Sequence, residues 1–86
     1  MTEENKSYFV YILRSEKDKK RYIGSTINLH RRIAGHNRGT VKSTKFRRPL
    51  KLIYEEQFQI QKEAEEREEY FKTGRERQYI KEVLQL

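Results

Sequence analysis

The sequence predicts one α+β domain: a small three-stranded, mainly antiparallel sheet flanked by helices, in the order β-β-α-β-α-α. Three observations carry this. Eighty-six residues supply one modest core and not two. Tyr8 to Arg14, YFVYILR, is an unbroken run of aromatic and aliphatic residues, as expected of a central strand buried on both faces. The remaining apolar residues recur at strand or helix spacing, in a chain that is 34% hydrophobic and 38% charged.

Residues 1–7 are polar and predict a disordered tail, with a single domain over 8–86. Ser15 to Lys20 is a charged turn, and Arg21 to Ser25 returns as a second strand, so the two strands predict an antiparallel hairpin without an Asn-Gly signal. Alternation places Tyr22 and Gly24 on one face and Ile23 on the other. Gly24, having no side chain, leaves room for another group to approach. Asn28 is a good N-cap for a helix to about Asn37, and Gly39 ends it. Leu29 and Ile33 set its buried direction. His36 lies near that direction, Arg32 on its shoulder and Arg31 on the solvent side; Arg32 and His36, four apart, are neighbours. Thr40 to Pro49 reads as a basic loop and Leu50 to Phe58 as a third strand. Ile60 to Lys72 is a glutamate-rich helix without a good cap, closed by Gly74. Arg75 to Leu86 is an amphipathic helix with Tyr79, Ile80, Val83 and Leu84 toward the core.

The net charge of +7 favours a polyanionic partner. Its distribution is uneven. Between Arg14 and Lys51 thirteen basic residues face only Glu16 and Asp18, whereas between Glu55 and Glu69 seven glutamates face only Lys62 and Arg67. In the basic loop Lys42, Lys45, Arg47 and Arg48 are candidates for phosphate contact, with Arg31 on the preceding helix. The bland alternative is a solvated surface. The absence of cysteine excludes disulfides and thiolate metal sites and fits a reducing cytoplasmic setting. No apolar run approaches the roughly 18 residues of a membrane span. Gly-rich phosphate loops, Ser-His-Asp sets and zinc spacings are missing, and His30 and His36 face different ways on one helix.

Tyrosine, arginine and glutamate remain as chemical groups. Hairpin pairing brings Tyr11 close to Tyr22, although strand tyrosines are commonly core residues with a satisfied hydroxyl. Arg32 faces either a cleft or a surface carboxylate. Glu68 lies nearest the apolar direction set by Ala64 and Phe71. A carboxylate there is costly unless paired, either with Arg32 or Arg67 or with a hard cation such as Mg²⁺.

Phe9-Val10-Tyr11, Tyr22-Ile23-Gly24, Arg32 with His36, and Glu68 together resemble the GIY-YIG nuclease family over nearly the whole chain. The run YIGSTINLHRRIAGHN is the most specific part. TKFRRPLKLIYEE and REEYFKTGRER resemble the short, single-domain bacterial branch. In the first motif Phe9 stands where the family has glycine. The resemblance implies a DNA endonuclease that hydrolyses phosphodiesters in repair, recombination or processing. By that likeness Tyr11 is the general base or part of its relay, Tyr22 positions water, Arg32 stabilises charge on the phosphate, His36 assists the relay, and Glu68 holds one Mg²⁺ or Mn²⁺. A free tyrosine is phenolate only about once in a thousand at pH 7. Tyr11 must therefore have a lowered pKa or hand its proton on in a concerted relay, and activity is expected to rise at alkaline pH. The alternatives are a nucleic-acid-binding module that does not cut, of DNA or of RNA, or a nuclease that takes its substrate choice from a protein partner.

Overall fold

The computed structural model describes residues 7–84, so the expected tail lies, except for Ser7, outside the described residues. The sheet has three strands, β1 (Tyr8–Ser15), β2 (Arg21–Thr26) and β3 (Leu50–Phe58), in the order β2-β1-β3 with both pairings antiparallel. The YFVYILR run is central, as its composition demands. Val10, Tyr11, Ile12 and Leu13 are all fully buried.

The hairpin closes without Asn-Gly because Ser15 supplies the turn chemistry. Its hydroxyl accepts from the backbone N–H of Lys17 and of Asp18, both at 3.1 Å. Lys19 takes the left-handed backbone conformation at φ 65°. A bulge in β3 opposite Ile12 and Leu13 sends Leu50 and Leu52 to one face of the sheet, and Ile53, Tyr54 and Phe58 to the other.

Two cores result. On one face Tyr11, Leu13 and Leu50 pack with Tyr22, Leu52 and the Leu29–Ile33 stripe of helix α1 (Leu29–Arg38). On the other, Val10 and Ile12 pack with Ala64 of helix α2 (Gln61–Tyr70), with Phe71, and with Ile80 beyond the short helix α3 (Glu76–Tyr79). The fully buried Val10, Ile12, Leu13 and Phe71 each contribute about 1.5–3 kcal/mol through burial.

The ends of α1 follow the sequence. Asn28 Oδ1 accepts from the Arg31 N–H at 3.1 Å, and Gly39 stops the helix at φ 86°. Helix α2 starts behind Ile60 with no side-chain cap.

Two expectations are corrected, for the basic loop and for Val83, and one is met. The basic loop holds a 3-10 helix, Lys42–Arg47, because its Thr44 is buried against α1 and Ser15 Oγ donates to the Arg47 carbonyl at 2.6 Å. The second helix keeps its helical backbone past Tyr70 at Phe71 and breaks at Gly74, whose φ of 98° kinks the chain before α3, as the glycine predicts. In the last helical segment Ile80 is buried as expected, while Val83 is half exposed; the Leu84 side chain lies outside the described residues.

Candidate active site

Antiparallel register sets Tyr11 opposite Gly24 and Leu13 opposite Tyr22. The Tyr11 ring lies across the bare Gly24 backbone. A Cβ there would stand 2.5 Å from Tyr11 Oη. Tyr22 is two residues along the same face, its ring centre 6.4 Å from that of Tyr11. The last turn of α1 brings the His36 ring edge-on to both, 5.7 Å from Tyr11 and 5.0 Å from Tyr22.

A hydroxyl–imidazole–hydroxyl chain runs through this cluster. Tyr11 Oη lies 2.9 Å from His36 Nε2, and His36 Nδ1 lies 2.7 Å from Thr44 Oγ1. Tyr11, His36 and Thr44 have no exposed surface. Burial first, and the Arg32 charge second, push the His36 pKa down to about 4. The imidazole is therefore neutral at pH 7, with one nitrogen donating and the other accepting. Both hydroxyls can turn to suit either tautomer. With the proton on Nδ1, Thr44 accepts and Nε2 is left to accept from Tyr11.

Burial also raises the Tyr11 pKa, with Arg32 opposing it. A lowered Tyr11 pKa, the first of the two routes expected above, is thus corrected for this arrangement: desolvation outweighs the guanidinium.

Arg32, one turn before His36, interacts with the hydroxyls of Tyr11 and Tyr22. The Tyr11 interaction is the main cause of its raised pKa.

Glu68 approaches from the opposite side of β2. Ser25 Oγ donates to Glu68 Oε1 at 2.6 Å, and Lys72 Nζ sits 2.8 Å from Oε2. Because β2 is an edge strand, a group on α2 can reach around it. The Glu68 charge adds to the causes raising Tyr11, and the Tyr22 charge to those raising Lys72. The pairing of Glu68 with Arg32 or Arg67, weighed as its bland alternative, is corrected. Arg67 instead forks onto Glu56 at 2.8 and 3.0 Å, its guanidinium 4.4 Å from the ring centre of Phe71. It does so because Glu56 projects from β3 into the same face.

Among the described residues no three His, Asp, Glu or Cys side chains converge on a metal position. A lone carboxylate does fit a hard divalent ion that keeps most of its water shell. Glu68 keeps 19% of its side chain exposed, and Lys72, 53% exposed, can turn into solvent.

The expected phosphate contacts are placed unevenly. Arg31, Lys42 and Lys45 are exposed. Arg47 is engaged by Asp18 at 3.0 Å, and Arg48 Nε donates to the Lys45 carbonyl at 2.8 Å. Ser25, Thr44 and Lys72 were not singled out from the sequence. The four-residue spacing of Glu68 and Lys72 was a legible signal. Thr44 had none, since its partner lies across a turn.

The model of the GIY-YIG catalytic domain matches residues 7–83. The UPF0213 protein YazA of Bacillus subtilis is 43% identical over 70 residues, covering 80% of this chain and 70% of that protein. The UPF0213 protein SH2523 of Staphylococcus haemolyticus is 43% identical over 77 residues, covering 88% and 93% respectively. The UPF0213 protein CPE1444 of Clostridium perfringens is 48% identical over 65 residues, covering 74% and 69%. These names state no activity. No solved structure gives a match. The three-stranded sheet, the paired tyrosines and the match over residues 7–83 agree: the chain belongs to the GIY-YIG family, beside its small bacterial UPF0213 members.

Proposed function

We propose that the protein is a Mg²⁺- or Mn²⁺-dependent endonuclease that hydrolyses phosphodiester bonds in DNA. The observation that carries this is the buried Tyr11–His36–Thr44 chain, held neutral beside the Arg32 charge. Hydrolysis needs a deprotonated water, stabilised charge on the phosphate and a protonated leaving oxygen. Arg32 meets the phosphate. Tyr22 orients the water. Tyr11 takes the water proton while passing its own to His36 Nε2. The new oxygen–phosphorus bond forms as the bond to the leaving oxygen breaks; that oxygen keeps the electron pair and takes a proton from solvent. A divalent ion on Glu68 would supply Lewis-acid polarisation of the phosphate.

A His36 pKa near 4 makes a weak acceptor in the free protein. A bound phosphate offsets the Arg32 charge, one of the two causes holding that pKa down, and so strengthens His36 when the substrate is in place. Of the two routes, the relay is the one this arrangement favours, since burial raises the Tyr11 pKa.

The test is cleavage of single-stranded, duplex, flapped and branched DNA, and of RNA, with Mn²⁺. Wild type is compared with folded Glu68→Gln and Arg32→Ala. Loss of cleavage in both supports the proposal. The second reading, a binding module that does not cut, is favoured by the Lys72–Glu68 contact, which occupies the carboxylate. It predicts salt-sensitive nucleic-acid binding, no turnover on any substrate, and no Mn²⁺ site lost in Glu68→Gln. A role in repair or recombination, a cytoplasmic location and a specificity-giving protein partner belong to the same proposal. They rest on family likeness and the lack of cysteine.

A further inference from the structure

Beside the tyrosine site, and sharing Arg32 with it, lies a second concavity of about 360 Å³ between α1 and the segment that follows it. Arg31, Arg32 and Arg38 line it, and no carboxylate does. Among the described residues none of these three guanidinium groups is in a salt bridge. Elsewhere on the molecule Arg21, Arg47 and Arg67 are each neutralised by an acid.

The floor is shaped for a ligand. Arg31 and Arg38 are seven apart, two turns along one helix face and about 10 Å along its axis. Gly35 lies between them, and a Cβ there would stand 3.1 Å from Thr40 Oγ1 at the far wall. The missing side chain keeps the groove open. At the rim Ile27 is 66% exposed, an apolar surface beside the charge. Positive floor and apolar rim match the phosphate and sugar of one nucleotide.

We infer that this groove holds the phosphodiester next to the scissile one, on the same strand, with Arg38 and Arg31 gripping it while Arg32 reaches the reacting phosphate. The inference rests on the nuclease reading for the identity of the strand. It makes a substrate with at least two successive phosphates a requirement for tight binding.

The experiment is fluorescence anisotropy of labelled 20-nucleotide DNA, single-stranded and duplex, in EDTA, so that cleavage plays no part. Folded Arg38→Ala and Arg31→Ala are compared with Lys62→Ala, an equal charge change on the exposed surface of α2. Each arginine variant is expected to weaken binding about five- to tenfold at 0.1 M salt and to lower the slope of log K against log salt by about one. Lys62→Ala is expected to shift affinity less than about twofold. Arg38→Lys should keep the slope and lose part of the affinity, because the forked contact goes while the charge stays. Equal shifts in Arg38→Ala and Lys62→Ala would overturn the groove, leaving only net charge. The nuclease reading fails separately. Arg38-dependent binding without cleavage on any substrate keeps the groove, whereas cleavage and binding that ignore Arg38 remove it.

Discussion

Replacing Gly24 by alanine tests the centre of the site with one methyl group. The φ of Gly24 is not in the left-handed region, so the backbone accepts a side chain there. The change acts by sterics alone. The new Cβ would stand 2.5 Å from Tyr11 Oη and 2.7 Å from Cζ, where ordinary contact begins at 3.4 Å. Tyr11 must move by about 1 Å, and it is fully buried with its hydroxyl tied to His36. Overpacking costs about 1–3 kcal/mol, and loss of the buried Tyr11–His36 hydrogen bond about 1–3 more. Reduced freedom of the unfolded chain returns about 0.4–1 kcal/mol. The net is a loss of roughly 1–5 kcal/mol, centred near about 3, and about 3 kcal/mol lowers Tm by about 12–24 °C for a domain of this length. Thermal melting gives the stability, and ¹⁵N spectra of the His36 ring report whether its Tyr11 contact survives. Gly35→Ala is the control, since its Cβ comes no closer than 3.1 Å to the Thr40 hydroxyl and alanine favours a helix. A Gly24→Ala protein with Tm within about 3 °C of wild type and an unchanged His36 spectrum would refute the close approach.

Other consequences follow from the same geometry. His36 titrates near pH 4 folded and near 6.5 unfolded, so the unfolded chain binds the extra proton between these values. Its contribution is full above pH 6.5 and is lost as pH falls toward 4, by at most about 1.4 kcal/mol per pH unit. Urea midpoints that stay flat from pH 7 to 4.5 in wild type, or fall equally in His36→Gln, would contradict this. If a bound phosphate offsets Arg32, the acid limb of kcat lies at higher pH than that of kcat/KM, which belongs to the free protein near pH 4; coincident limbs would argue against the relay. Thr44→Val leaves His36 Nδ1 without its partner and should cost about 1–3 kcal/mol and mix the tautomers, with Thr44→Ser restoring both; ¹⁵N shifts of the ring decide it. Arg67→Met strands Glu56, 18% exposed, and should destabilise by about 2–3 kcal/mol, part of which returns in the double variant with Glu56→Gln, as chemical denaturation would show.

How much of this was legible before folding differs by residue. β1 and the Leu50–Phe58 strand declare themselves through uninterrupted or alternating apolar residues, and α1 through Asn28 and Gly39, because each signal is local. The neighbourhood of Tyr11 and Tyr22 followed from hairpin pairing alone. Thr44 was illegible, because a lone threonine in a basic loop becomes part of the site only when a 3-10 turn carries it onto His36. The partner of Glu68 was misjudged for a related reason. A helical wheel orders directions but does not show that Glu56 claims Arg67 from another element. Val83 is half exposed although it is three residues from buried Ile80, because periodicity orders directions along a helix and does not show how far the core reaches beneath its last turn.

The site is divided by strand β2, and this explains which residues the strand can tolerate. Tyr22 and Gly24 face α1 with Tyr11, His36 and Arg32, while Ser25 faces α2 and binds Glu68. Proton-handling groups therefore come from one layer, and the carboxylate from the other. In the proposed reaction they would act on one phosphate around the free edge of the sheet. A fourth strand beyond β2 would separate the two sets, and a bulky residue at position 24 would drive Tyr11 out of its place over the strand. The order β2-β1-β3 leaves that edge open. Arg32 has a double position: from α1 it borders both the tyrosine cluster and the arginine groove, so in the proposed reaction the guanidinium that would meet the phosphate is also the charge that His36 feels. A charge-neutral Arg32 variant should therefore relax the His36 pKa upward as well as weaken phosphate contact. Those two effects are separable by ring titration in the absence of nucleic acid. An Arg32→Met protein whose His36 still titrates near pH 4 would show that burial alone holds the imidazole neutral, and would remove the link between phosphate binding and proton acceptance.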